Sequence, residues 1–317
     1  MDICVAVFYR FFAFPDFRAK RSEYLAQCLR HRVKGTLLLA NEGLNGALAG
    51  EESAVDQVLA YLRTDPRLAA MAVNKSFSDF VPFYRMKVKL KTEIVTLGVP
   101  GIDPTKRVGT YVPADQWNAL IADPYTLVID TRNQYEYALG TFQGASNPQT
   151  QSFREFPEYV SLRLQQESKK RIALFCTGGI RCEKATSYLL EHGLSDVYHL
   201  QGGILKYLEQ IAPKQSVWRG ECFVFDNRVS LDHALQKGSY DLCHGCRHPI
   251  NSSDKLSAQY QPGVSCPHCF DSLSDVQKSA FAERQKQEVL AQLRRRVHIG
   301  GSGKQPKLRP RAVSRKS

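Results

Sequence analysis

The sequence predicts an α/β protein: a central parallel sheet, an α+β domain before it and a four-cysteine metal module after it. Three observations carry this. Short apolar runs alternate with helical spacing through the middle of the chain, the pattern of parallel strands joined by helices. Residues 1–96 instead run strand, helix, strand, strand, helix, strand. Beyond residue 218, two Cys-x-x-Cys pairs stand 19 residues apart. With 317 residues, 43% of them hydrophobic, the chain is long enough for two or three domains with real cores.

At the start, ICVAVFYRFFAF is too short to span a bilayer and is interrupted by Arg10. It also lacks the basic start and cleavage region of a signal peptide. It is expected to be a buried strand of a soluble, cytoplasmic protein with no membrane partner. An amphipathic stretch near 18–32, GTLLLA, GALAG, SAVDQVLAYL and RMKVKLK follow, with NEGLNG (41–46) as a hairpin loop. The order βαββαβ over 1–96 is that of a ferredoxin-like split domain. Alternation in RMKVKLK puts Arg85, Lys87, Lys89 and Lys91 on one face, against Met86, Val88 and Leu90 on the other. Two readings stand: the wetted side of an antiparallel sheet, or a surface that tracks RNA phosphates.

LGVPGIDPTKRVG (97–109) is a Gly/Pro-rich linker. A second domain is expected over 110–216, with Pro113 opening a helix at ADQWNALI and strands at TLVID, RIALF and DVYHL. A third region, 218–293, holds a hairpin-like ECFVFDNRVSL, the cysteine pairs and a long helix. The net charge of +12 is concentrated: residues 294–317 carry nine Lys or Arg and no acid, leaving +3 for the rest. That tail is expected to be disordered, serving either phosphate attraction or solubility.

The chemistry concentrates at CTGGIRC (176–182), between the strand RIALF and a helical stretch ending at Gly193. Backbone N–H groups over Thr177, Gly178, Gly179, Ile180 and Arg181 can converge on the Cys176 sulfur, and the following helix adds the positive end of its dipole. Arg181 adds a fixed charge. Each favours thiolate over thiol, and each would hold a persulfide anion equally well. Parallel α/β sheets bind ligands at the carboxyl ends of their strands, where this loop falls.

CTGGIR resembles the active-site loop of rhodanese domains, which carry sulfur as a persulfide on the residue matching Cys176. VIDTRNQYEYALGTFQGASNP (128–148) resembles the rhodanese stretch holding Asp130, Arg132, Glu136, Gly144 and Ala145, although Thr141 and Phe142 replace the usual His-Ile. QGGI (201–204) resembles the closing rhodanese turn. Together with GTLLLANEGLNGALAG, WRGECFVFDNRV and the four-cysteine module, the chain resembles the tRNA uridine(34) hydroxylase family (UPF0176, also TrhO or YceA) over residues 1–292. The resemblance implies a rhodanese-like central domain and oxygen-dependent hydroxylation of the wobble uridine of tRNA to 5-hydroxyuridine. Spacing and composition do not themselves show that reaction, and no flavin, haem or non-haem iron motif is present.

Asp130 and Arg132 are candidates for supporting the cysteine from behind. Cys182 has two readings: a second sulfur that resolves a persulfide or disulfide on Cys176, or a small residue at a helix start. Cys243, Cys246, Cys266 and Cys269 have the spacing of a closed tetrahedral S₄ site, structural rather than catalytic. Thiolate softness favours zinc, with iron or two redox pairs as alternatives. Nine cysteines, an odd count with four in CxxC pairs, suit a reducing compartment better than a disulfide framework. Cys4, Cys28 and Cys222 are expected in cores. The functions in competition are tRNA modification through Cys176 and sulfane-sulfur transfer to a thiol. The N-terminal domain and the cysteine module favour the first, because a carrier for small molecules needs neither. A non-catalytic adaptor would not need Cys176, and nothing in the sequence sets the oligomeric state.

Overall fold

The computed structural model describes residues 2–164 and 171–294. Apart from Arg294, the basic tail expected over 294–317 lies outside the described residues.

The first domain runs β1 (Ile3–Phe11), α1 (Phe17–Arg30), β2 (Lys34–Ala40), β3 (Gly43–Gly50), α2 (Glu52–Leu62), β4 (Val73–Ser78) and β5 (Met86–Leu90). Its sheet has the order β4-β1-β3-β2-β5. Two expectations are corrected. The last strand of the split βαββαβ unit is β4, VNKSFS, which pairs antiparallel with β1. RMKVKLK supplies β5, an added strand parallel to β2 on the opposite edge. An edge strand with little buried area lacks the apolar alternation by which strands are found, so β4 left no signal. NEGLNG is also no loop. Only Asn41 and Glu42 turn, and Gly43–Gly46 pair with β1, where Leu37 and Phe8 side chains occupy the space a Gly46 Cβ would need.

The two faces of this sheet have different fates. Cys4, Ala6, Phe8, Leu37, Leu39, Leu48 and Val88 join one core with residues of α1 and α2. On the other face the register lines up Asn74, Val7, Ala47, Thr36 and Lys87 in one row, and Tyr9, Asn45, Leu38 and Lys89 in the next. The middle of this second face meets the second domain.

That domain comprises β6 (Thr110–Val112), α3 (Ala114–Ala122), β7 (Thr126–Asp130), α4 (Gln134–Tyr137), β8 (Gly140–Phe142), α5 (Phe156–Arg163), β9 (Arg171–Phe175), α6 (Ile180–Glu191), β10 (Val197–Leu200) and α7 (Gly203–Gln210). Its sheet, β6-β10-β9-β7, is parallel throughout. Alternate residues of β7 and β9 enter opposite cores: Val128, Ala173 and Phe175 meet Trp117 and Ile204, whereas Leu127, Ile129 and Leu174 meet Phe156 and Leu189. Burial on both sides is why these strands read as unbroken apolar runs.

The third region adds β11 (Trp218–Gly220), paired with β8, then the hairpin β12 (Cys222–Phe223) and β13 (Ser230–Leu231). A small ribbon of β14 (Asp241–Leu242) and β15 (Pro249–Ile250), α8 (Ser252–Leu256) and α9 (Asp275–Leu293) complete it. Cys4, Cys28 and Cys222 are buried in the two main cores. Among the described residues no helix is long and apolar enough to cross a membrane.

Side chains of α6 hold the first domain on the second. Lys184, 1% exposed, ion-pairs with Glu42 at 2.7 Å and with Glu93, and also donates to the Val95 carbonyl at 3.2 Å. Tyr9 donates to Glu183 at 2.7 Å, and Asn74 donates to the Gly202 carbonyl at 3.2 Å. On the far side Arg228, paired with Asp226, donates to Ser76 Oγ at 2.8 Å. Removing one partner of a buried pair leaves the others uncompensated, at a cost of about 3 kcal/mol or more. Lys184→Met is therefore expected to lower unfolding stability by about 3 kcal/mol in urea titration. A loss below about 1 kcal/mol would mean that this contact does not join the domains.

Candidate active site

Strand β9 ends at Phe175 and delivers Cys176 to the head of a tight loop leading into α6. Gly179 has φ +101°, a left-handed conformation that glycine adopts freely, and from there its N–H points at Cys176 Sγ at 3.1 Å. The start of α7 braces the loop from behind: Ile204 and Leu205 N–H groups donate to the Cys176 and Thr177 carbonyls at 2.9 and 3.1 Å. That approach needs Gly203, whose φ is +67° and whose Cβ would fall 2.5 Å from the Cys176 oxygen.

Burial pushes the Cys176 thiol up, but four stabilisers outweigh it. The Cys182 thiol, the Arg181 charge and the Cys182 and Gly179 amides bring it down to about 6. Cys182 goes the other way: burial raises it, and the neighbouring Cys176 anion raises it further. The two shifts favour charge on Cys176 with Cys182 as its protonated neighbour. Cys182 also touches the Thr131 hydroxyl at 3.5 Å. It faces the sheet and is in contact with Cys176, which the loop length alone does not reveal.

Arg181 occupies the first turn of α6, and its charge is shared. Its Nη1 and Nη2 donate to both oxygens of buried Glu136 at 2.6 and 2.8 Å. Burial opposes the Glu136 charge, but Arg181 holds its carboxyl below the usual range. Asp130 and Arg132 stand elsewhere. They form a fully buried pair at 2.6 Å, with Arg132 also donating to the Gly140 carbonyl and lying over the Trp218 ring. Neither borders the cavity at Cys176, so their place is beneath the site, fixing β7 to β8. The departure Thr141-Phe142 fits this packing: Thr141 donates to Asp130 at 3.1 Å, and Phe142 fills a cluster of rings with Trp117, Phe175, Tyr207 and Trp218.

Cys176, itself 1% exposed, opens into a cavity of about 530 Å³. Thr177, Gly178, Ile180 and Arg181 form its floor, and Gly179 completes the loop beneath. Its roof is the second face of the first domain's sheet, with Val7, Tyr9, Thr36, Leu38, Asn45 and Ala47. Phe225 and Val224 of the β12–β13 hairpin close one side. Of the basic strand residues, Arg85 and Lys87 border an adjoining groove. Lys89 is exposed on the same face as Lys87, and Lys91 follows the end of β5 beside Arg18 near the start of α1. The roof residues carried no sequence signal, because periodicity shows that a sheet has two faces but not what covers each. Tyr9 and Glu183 escaped for the same reason: their contact spans two domains. Burial holds the Glu183 carboxyl above its usual range despite hydrogen bonds from Tyr9 and Tyr111.

The four module cysteines come together. Their sulfurs all lie within 4.8 Å of one another, with 4.0 Å between Cys243 and Cys269, 3.8 Å between Cys246 and Cys266, and 3.9 Å between Cys266 and Cys269. A tetrahedral ion with sulfur bonds of about 2.3 Å needs separations of about 3.8 Å, so this donor set fits one closed S₄ metal site. Arg284 of α9 ties both halves together through the His244 and Gly263 carbonyls at 2.9 and 3.0 Å.

With this geometry, the model of the UPF0176 acylphosphatase-like domain matches residues 3–94 and that of the rhodanese-like domain residues 113–210. The chain belongs to the UPF0176 family and carries its rhodanese domain. Among solved structures, a rhodanese-like domain from Anabaena sp. is 19% identical, over 35% of this chain and 78% of that one, with a TM-score of 0.28. A rhodanese-related protein from Thermoplasma volcanium is 23% identical over 33% and 95%, with a TM-score of 0.27. An acylphosphatase from Coxiella burnetii is 17% identical over 28% and 93%, with a TM-score of 0.23.

Two outcomes follow from this UPF0176 site. Alkylation of Cys176 by iodoacetamide is expected to rise with pH around a midpoint near 6, because the thiolate forms above that value. Cys182→Ala removes an S–H donor and should move the midpoint up by about one unit, whereas Cys182→Ser keeps a donor and should move it less. A midpoint near 8.5 in the parent protein, about that of a free thiol, would remove the thiolate assignment. Stripping metal with a chelator should increase hydrogen exchange over residues 240–270 and leave the first domain's exchange unchanged. Absence of metal in anaerobically purified protein would exclude the S₄ site.

Proposed function

We propose that this chain modifies tRNA, hydroxylating uridine 34 of the anticodon to 5-hydroxyuridine in the cytoplasm, with molecular oxygen as co-substrate and Cys176 as the reactive group. The observation that carries this reading is a cysteine whose sulfur accepts the Gly179 N–H at the floor of a cavity roofed by the first domain's sheet. The anticodon is single-stranded, so its wobble base can enter such a cavity without opening a duplex. Apolar Leu38, Phe153, Ile180 and Leu205 offer surfaces for a base, and Asn45 and Arg154 supply polar groups at the same walls. The cations Arg85 and Lys87 lie beside the cavity, where a polyanion would need them. The metal in the S₄ site is read as zinc, with four thiolates leaving no position open for chemistry.

A second reading rests on the Cys176–Cys182 contact and the Gly179 amide, a cradle suited to a persulfide. It makes the chain a sulfurtransferase that moves sulfane sulfur to a small-molecule or protein thiol. Nucleoside mass spectrometry separates the two. tRNA from cells lacking the gene should lose 5-hydroxyuridine and its derivatives, and the parent gene but not Cys176→Ser should restore them. The serine hydroxyl is far harder to ionise than a thiol in the same loop, so activity should fall below detection with stability unchanged. Unchanged tRNA in the deletion strain, with thiosulfate-dependent sulfur transfer by the purified protein, would establish the second reading instead.

A further inference from the structure

Beside the cavity runs a groove of about 350 Å³ whose chemistry differs from it. The two share Thr36, Phe83, Val224, Phe225 and Asp226, so they are continuous around the tip of the β12–β13 hairpin. Two chain segments bring three cations to the groove. Arg85 and Lys87 come from the first domain, and Arg247 comes from the four-cysteine module. None of the three enters a salt bridge among the described residues, and the groove's acid, Asp226, is already paired with Arg228 at 2.7 Å. Burial, reinforced by the charges of Arg85, Lys89 and Arg247, makes the Lys87 ammonium less favourable. Unneutralised cations gathered this closely are complementary to a polyanion.

Aromatic rings interleave with these charges. Phe225 is 65% exposed and Tyr84 41% exposed, and both line the groove. Phe225 is held edge-on to Phe223 at 5.1 Å and lies beneath the Arg181 guanidinium at 5.8 Å, so it is positioned though exposed. Arg247 is also placed. It has φ +69°, and its N–H donates to the Cys243 carbonyl at 2.8 Å, one residue beyond Cys246 of the S₄ cluster.

We propose that this groove binds the nucleotides flanking the one that enters the cavity, as single-stranded RNA. Their phosphates meet Arg85, Lys87 and Arg247, and a base stacks on Phe225 or Tyr84. Alternation of rings and cations along a groove is how single strands are held without reading sequence. The proposal rests on the tRNA reading and gives the metal module a role within it: the folded S₄ knuckle aims Arg247 at the substrate.

The test measures anisotropy of a labelled anticodon stem-loop against the full chain carrying Cys176→Ser, so that chemistry does not enter. Arg247→Gln should weaken binding and reduce the slope of log affinity against log salt by about 0.7 to 0.9, one phosphate contact. Phe225→Ala should weaken binding roughly tenfold with an unchanged slope, because stacking releases no counterions. Metal content and thermal unfolding should match the parent in both variants. RNA binding by the parent that neither variant alters overturns the groove and leaves the proposed function standing. Failure of the parent to bind RNA overturns both, as would preference for an acidic peptide over RNA.

Discussion

The ammonium of Lys184 sits where water does not, among Glu42, Glu93 and the Val95 carbonyl, and the site depends on that arrangement. The lysine lies two residues beyond Cys182 on α6, the helix that begins at the Cys176 loop. The carboxylates come from the β2–β3 turn and from the segment that follows β5. A cation buried this deeply is tolerable only with its donors satisfied, so the pair admits one relative placement of the two domains. Tyr9 and Glu183 enforce the same placement one residue earlier on the helix. The roof of the cavity is consequently fixed by the helix that carries its floor.

Within the loop, charge is distributed to keep the sulfur anionic without a free cation nearby. Glu136 engages both guanidinium nitrogens of Arg181, which limits how far that arginine can neutralise Cys176. The remaining stabilisation comes from the Gly179 and Cys182 amides and the Cys182 thiol. Dipoles and an S–H donor are short-ranged and oriented, so they favour charge on one atom rather than across the pocket. This leaves the cavity itself largely apolar and suited to a flat ring.

The strand–loop–helix at 172–191 was legible in the sequence because apolar runs, glycines and helical spacing all fall within a few residues of one another. The S₄ cluster was legible for a similar reason: CxxC spacing encodes its own geometry. Strand β4 was not, since a polar edge strand needs no alternation, and its place was given to the more regular RMKVKLK. Asp130 and Arg132 belong to a second rhodanese-like stretch and only brace the Cys176 loop from below, which spacing along a chain cannot distinguish from contact. Tyr9, Leu38, Asn45 and Phe225 were invisible as site residues because their role exists only after three regions dock. Glu136 was named within the rhodanese-like stretch, but its pairing with Arg181 was not legible, because the two lie 45 residues apart in the chain.

The roof over Cys176 also has a meaning for inheritance. Floor and roof are encoded by separate domains, each matched by a family model of its own. The cysteine loop could thus be retained unchanged while a new partner domain set which molecules reach it. Selectivity in such a design belongs to neither unit, and a search for its determinants in the cysteine-bearing half alone would look on the wrong side of the cleft.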